Sequence, residues 1–135
     1  VVIGGGQVGC ETGLHLAKQG KDVTIVEMKY LVAGDANFTH RVALMEQIDD
    51  YVAKVLVDTT CTAVSSDGVT VKDKDGNESF VPADTVIIAA GMRPRAEYAE
   101  SFEPVSNDFI PIGDCVAAKD VGHATTTGYD AARMI

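Results

Sequence analysis

Apolar and polar positions change rhythm along the chain, and each rhythm predicts an element. Val1–Ile3 is a short apolar run that reads as a buried strand, and Gly4-Gly5-Gly6 breaks it. From Gln7 to Gln19 the period becomes helical and Gly20 marks the helix end. Gly9, Gly13, Leu16 and Ala17 share the face expected to lie on a sheet, with the glycines allowing close approach. Asp22–Glu27 is rich in β-branched residues and predicts a strand. Phe38, Val42, Met45, Ile48 and Val52 recur at helical spacing and predict an amphipathic helix, capped by Asn37 or Thr39. Val55–Val57 predicts a third strand. The order β-α-β-loop-α-β implies a parallel sheet with crossover helices.

The pattern then shortens. Cys61–Ser65, Val69–Lys72 and Ser79–Val81 alternate, separated by the hairpin signals Ser66-Asp67-Gly68 and Asp75-Gly76-Asn77, which predicts a three-stranded antiparallel meander. Thr85–Ala90 reads as a fully buried strand, Gly91–Asp108 as irregular with Pro94 and Pro104, Phe109–Ile112 as a last strand, and Thr125–Ile135 as a final helix. The expected fold class is α/β: a Rossmann-like parallel sheet with crossover helices and an inserted antiparallel β-meander. The chain opens inside a strand pattern without Met and stops inside a helical one, so it reads as a piece excised from a longer protein.

Composition narrows the picture. With 135 residues, 46% hydrophobic and 23% charged, the chain has the makeup of a soluble globular domain. Aromatics are 6% and Trp is absent, so the core must be aliphatic. A net charge of −9 argues against nucleic acid and against an anionic membrane surface. No apolar run approaches the roughly 20 residues of a membrane span. Three scattered cysteines form no disulfide framework and suggest a reducing, cytoplasmic compartment.

The chemistry concentrates at the first turn. Gly4-Gly5-Gly6-Gln7-Val8-Gly9 fits G-x-G-x-x-G between a strand and a helix, the context the dinucleotide fingerprint requires. Gly4 makes the tight turn, Gly6 lets backbone approach a pyrophosphate, and Gly9 permits close helix–strand contact. The helix N-terminus offers unpaired N–H groups and a positive dipole to phosphates. Without a ligand the same residues would be only a tight turn. Glu27, 18 residues after Gly9, stands where an acid accepts hydrogen bonds from an adenosine ribose. Its charge would repel a 2′-phosphate and favour NADH over NADPH, with Lys29 nearby to soften the effect; the plain alternative is an exposed acid at a strand end. Glu11, placed in the first helical turn, is either a helix-stabilising acid or a neighbour of the nicotinamide. Cys10, Cys61 and Cys115 show no C-x-x-C pairing and read as buried, inert thiols. His15, His40 and His123 have no metal-ligand spacing; His123, before the last helix, reads as a cap or surface residue rather than one facing a cofactor, and Arg93 and Arg95 read as surface residues rather than a phosphate contact.

The run Gly4-Gly5-Gly6-x-x-Gly9-x-Glu11, then Glu27, then Ala89-Ala90-Gly91-x-Arg93-Pro94, then Ile112-Gly113-Asp114-Cys115, resembles the two-dinucleotide-binding flavoprotein superfamily with its pyridine nucleotide–disulfide oxidoreductases. The wording is most similar to the C-terminal part of the old-yellow-enzyme-like branch, with its NADH:flavin oxidoreductase, 2,4-dienoyl-CoA reductase and enoate reductase relatives. Those join an FMN and iron–sulfur barrel to an FAD domain and an NAD(P) domain. The resemblance implies an NAD(P)-binding domain at 1–91 and a piece of the adjoining FAD domain at 92–135. It implies that Asp114, with Gly113, holds the FAD ribitol and that Ala90 and Gly91 lie in the crossover beside a cofactor. The superfamily's own FAD-binding glycine motif would lie upstream.

The expected function is binding NADH so that its nicotinamide can pass a hydride to FAD in a longer parent, with the fragment inactive alone. No general acid, base or nucleophile is read in it. An adenine-nucleotide module that holds ADP and passes no electrons uses the same glycines and acid, and stays open. A different Rossmann enzyme, such as a methyltransferase, is disfavoured by the meander and the Gly113-Asp114-Cys115 motif. The expected partners are the remainder of the parent flavoprotein and a second copy of the chain, through an exposed apolar face.

Overall fold

The computed structural model describes all of residues 1–135 and resolves them into two compact units, Val1–Gly91 and Met92–Ile135. The first unit opens with β1 (Val2–Ile3), α1 (Gln7–Lys18), β2 (Thr24–Val26), α2 (Phe38–Tyr51) and β3 (Lys54–Leu56). The meander follows as β4 (Thr59–Ser65), β5 (Gly68–Asp73) and β6 (Glu78–Pro82), and β7 (Ile87–Ile88) closes the unit.

The parallel sheet has the order β3-β2-β1-β7 and the meander the order β4-β5-β6. Every pairing in the first sheet is parallel, with Val2 opposite both Ile25 and Ile87, and Ile25 opposite Val55. That row and its neighbour separate the two layers, because successive strand residues face opposite ways. Val2, Ile25, Val55 and Ile87 face a core shared with Cys10, Leu14, Ala17, Leu44 and Ile48 of the helices. Ile3, Val26 and Leu56 face a second core with Val69 and Val71 of the meander. The sheet is thus covered on both faces, as apolar parallel strands require. No aromatic residue is buried in either core, as the composition implies.

Two expectations about helix faces need correcting or refining. On α1 the buried face is Gly9, Cys10, Gly13, Leu14 and Ala17, so it includes Leu14 and Cys10 and leaves Leu16 half-buried. On α2 the expected stripe holds for Met45, Ile48 and Val52, which pack on the core, and fails in the first turn. Leu44 and Ile48 are buried while Phe38 is 81% exposed and Val42 also faces outward. Burial of a Leu or Ile side chain contributes about 1.5–3 kcal/mol, so the pair on one face, four residues apart, sets how α2 docks. Asn37 is the cap, its side chain accepting the Thr39 N–H at 3.0 Å.

Strand expectations also shift at the margins. Thr85–Ala90 is not fully buried: only Ile87–Ile88 pairs, and Ile88 is 74% exposed, because β7 is an edge strand bonded only to β1. Phe109–Ile112 is not a strand; Ile112 is extended, yet no strand lies beside the segment.

The second unit holds α3 (Ala96–Glu100), single 3-10 turns at Glu103–Val105 and Gly113–Cys115, and α4 (Val121–Ala132). The segment expected to be irregular therefore contains a short helix. The final helix starts four residues earlier than Thr125, because Asp120 accepts the His123 N–H at 2.7 Å and caps it. No helix is long and apolar enough to cross a membrane.

Gly9 is the tightest joint. A Cβ there would stand 1.9 Å from the Gly4 carbonyl oxygen, which is backbone and cannot move aside. Gly9→Ala is expected to cost about 3 kcal/mol of stability in urea unfolding. A loss below about 1 kcal/mol would show that the turn can relax and is not fixed by this contact.

Candidate functional site

The glycine turn is held by backbone geometry. Gly4 has φ +103°, a conformation that L side chains rarely adopt, and its N–H donates to the Val26 carbonyl at 2.8 Å. A Cβ on Gly4 would lie 2.4 Å from the Ala89 carbonyl oxygen, so the turn sits directly against the chain leaving β7. Gly6 is the N-cap of α1, in extended conformation, and Gln7 begins the helix. The first N–H groups of a helix have no intrahelical acceptor, and they form its positive end. Val8, 64% exposed, lies in this first turn.

Glu27 is placed by the sheet. Its N–H donates to Leu56 at 2.7 Å and its carbonyl accepts the Thr59 N–H at 2.9 Å, so its backbone is clamped between β3 and the start of β4. The residue is only 7% exposed. A carboxylate so buried must be hydrogen-bonded, because an unpaired buried charge is costly. Oε2 accepts the Gly5 N–H at 2.6 Å, and Oε1 accepts the Lys29 N–H at 2.8 Å. The bland reading of an exposed acid at a strand end is therefore wrong. Lys29 meets Glu27 through its main chain. A carboxylate has about four lone-pair sites, so two remain for donors such as vicinal hydroxyls.

Beside the turn lies a residue that the sequence did not reveal. Asp35 Oδ1 accepts the Gln7 N–H at 2.7 Å. Asp35 stands 28 residues from Gln7 in an aperiodic loop, and neither its type nor its spacing signals that contact. The same loop is tied down by the Ala33 N–H donating to Gly5 at 2.6 Å.

Glu11 is not in the first turn of α1 but in the second, since the helix starts at Gln7. A dipole role for it is weakened accordingly, because that effect falls off within the first turn. Its Oε1 accepts from Gln7 Nε2 at 3.0 Å and pairs with His40 Nε2 of α2 at 2.8 Å.

In the second unit, Gly113 is buried with φ +63°, and its N–H donates to Thr127 Oγ1 of α4 at 3.0 Å. Asp114 is exposed and lines a surface cavity of about 410 Å³ with Met92, Arg93, Arg95, Cys115 and Ala118. Arg93 and Arg95 are exposed, as the surface reading expected, and both line this cavity beside the Asp114 carboxylate. His123 Nε2 is buried without a partner. At the end of the first unit, Ala90 and Gly91 are exposed, and Gly91 has φ +94° with open space around it.

A family profile described as pyridine nucleotide-disulphide oxidoreductase matches residues 1–120. The chain belongs to this family. Within it, the chain is 35% identical over 136 residues to the bilirubin reductase of Mediterraneibacter gnavus and 34% identical over 136 residues to an NADH oxidase of Thermoanaerobacter brockii. Both matches cover 100% of this chain and 21% of the relative, so the chain spans about a fifth of the length of the curated relatives it matches. Among solved structures, a 2-naphthoyl-CoA reductase is similar with a TM-score of 0.81 and 26% identity, over 99% of this chain and 20% of that one. Histamine dehydrogenase from Rhizobium sp. 4-9 shares the fold, with a TM-score of 0.81 at 20% identity, over 99% of this chain and 22% of that one.

No three His, Cys, Asp or Glu side chains gather as a metal site. The cysteines are free; Cys10 is buried, but Cys61 and Cys115 are only half-buried, against the expectation that all three are buried. Burial pushes the Cys10 thiol up to about 11, with Asp35 and Glu27 adding to the rise. At pH 8 only about one Cys10 in a thousand would be thiolate, the nucleophilic form. Cys10 is therefore expected to resist iodoacetamide in the native protein at pH 8. Mass-spectrometric detection of rapid Cys10 alkylation, without unfolding, would contradict this placement.

Proposed function

We propose that the Val1–Gly91 unit binds NADH and orients its nicotinamide for hydride transfer to FAD in a longer parent protein. The observation that carries this reading is the buried Glu27 carboxylate bonded to the Gly5 N–H inside the glycine turn that opens α1. The residues fit the group. Gly4 and Gly9 have no space for a Cβ, Gly6 caps α1 without a side chain, and the helix end favours an anion.

In this reading the N–H groups of Gly6, Gln7 and Val8 hold the diphosphate, and Glu27 accepts from the adenosine ribose. Gly9 brings α1 close to the turn, and Glu11 is the α1 acid nearest to a nicotinamide role. The bound dinucleotide supplies the hydride; the chain supplies orientation and electrostatics. Glu27 selects against a 2′-phosphate because that would place a second anion beside a buried carboxylate.

In the longer parent, Gly113 and Asp114 would hold the ribitol of FAD, with Ala90 and Gly91 in the segment that crosses from one nucleotide unit to the next; this chain lacks the rest of an FAD site. The old-yellow-enzyme-like branch is favoured by the extent of similarity. The bilirubin reductase, NADH oxidase and cinnamate reductase matches run over the whole chain, whereas a dihydrolipoyl dehydrogenase of Pseudomonas aeruginosa matches over 72% of it. The Met92–Ile135 unit buries only Gly113 and leaves Met92, Phe102, Ile112, Val121 and Tyr129 exposed. That surface is read as the seat of the remainder of the parent, and in isolation as a cause of self-association. Three free thiols accord with a cytoplasmic setting.

A titration with NADH and NADPH, followed by amide chemical shifts, tests the reading. NADH is expected to perturb Gly4–Glu11 and Glu27, with NADPH about tenfold weaker, a difference of about 1.4 kcal/mol. Shifts with ADP but not with NADH would favour a structural adenine-nucleotide site. No response to any of these would overturn it.

A further inference from the structure

Asp35 belongs to the loop between β2 and α2, and its carboxylate lies on the N-terminus of α1. Oδ1 accepts the Gln7 N–H at 2.7 Å, and a Cβ built on Gly6 would stand 3.3 Å from Oδ2. The carboxylate thus covers both the N-cap residue and the first helical N–H. Helix α1 has no acid in its own first turn, so this charge comes from elsewhere in the chain. It sits where a helix favours an anion.

The rest of the loop keeps it there. Ala33 is fully buried, donates its N–H to the Gly5 carbonyl, and holds φ +49°, a left-handed conformation unusual for alanine. Arg41 Nε–H of α2 donates to the Val32 carbonyl at 3.1 Å. Gly34, between Ala33 and Asp35, has only the Leu31 side chain near its Cβ position. A pinned, strained segment therefore precedes a glycine and the one residue that has to move.

We propose that Asp35 is an internal anion that competes with the diphosphate of the dinucleotide for the α1 N-terminus, and so sets the affinity of the site. The proposal rests on the nucleotide reading given above. Two anions cannot share the Gln7 N–H, and like charges side by side repel. Binding then requires the carboxylate to withdraw from Gln7. The observed dissociation constant is the intrinsic one divided by the fraction of molecules in which it has done so. Glu27 stays, because its oxygens bond Gly5 and Lys29 and leave lone pairs for the ribose; Asp35 leaves, because its bond occupies a phosphate donor.

The test compares wild type with Asp35→Asn, which keeps the shape and a neutral capping oxygen but removes the charge. ADP and adenosine are titrated against both, with the amide shifts of Gly5 and Gln7 as readout. The expected result is ADP binding about tenfold tighter in the variant, with adenosine unchanged within about twofold. Equal or weaker ADP binding by a folded variant would overturn the role of Asp35, while wild-type shifts at Gly5 and Gln7 would leave the nucleotide site standing. If neither protein binds ADP, the nucleotide reading fails and this inference with it. Asp35→Ser, another neutral cap, replaces the variant should Asp35→Asn not fold by circular dichroism.

Discussion

A buried hydrogen bond from the Gly5 N–H to Glu27 Oε2 at 2.6 Å ties the glycine turn to the acid that follows β2. Its donor lies in the only stretch where three glycines follow one another, and its acceptor directly follows β2. A charge-assisted bond of this kind is worth about 1.5–3 kcal/mol, and stranding a buried carboxylate would cost more. Glu27 thus braces the turn and keeps lone-pair sites open to a further donor. Preorganisation of this sort lowers the entropy cost of binding.

The brace works because the strands beneath it are fixed from two sides. Val2 and Ile25 pack under α1, and Ile3 and Val26 pack over the meander. A register slip of one residue would exchange these sets and carry Glu27 away from Gly5. The meander is therefore more than an insertion: Val69 and Val71 cover the face of β1 and β2 that the helices leave open. Two carboxylates then flank the turn and are held in different ways. Glu27 is locked by strand pairing, whereas Asp35 hangs on a loop next to a strained alanine.

Much of this was legible from local pattern. The glycine run, the Asn37 cap, both meander turns and the parallel order follow from turn chemistry and hydrophobic period, which are local signals. The errors occur where tertiary partners decide. The stripe Phe38, Val42, Met45, Ile48 and Val52 has the right period, and its last three members pack on the core, but its first turn faces outward and Leu44 joins Ile48 in its place. Phe109–Ile112 has strand composition and no neighbour to pair with. The Asp120 cap of α4 is hard to read in sequence because Gly122 and the threonines after it dilute the helical pattern. Around the turn, the glycine spacing and the acid at position 27 stand in the local sequence; the burial of Glu27 and the arrival of Asp35 depend on contacts 22 and 28 residues apart.

The most direct measurement is a crystal structure of this chain grown with NADH. Expected is a diphosphate within hydrogen-bonding distance of the Gln7 N–H, an adenosine ribose whose hydroxyls donate to Glu27, and the Gly5–Glu27 bond intact. A dinucleotide bound away from the glycine turn, or a ribose turned from Glu27, would contradict the assignment of this turn as the nucleotide site.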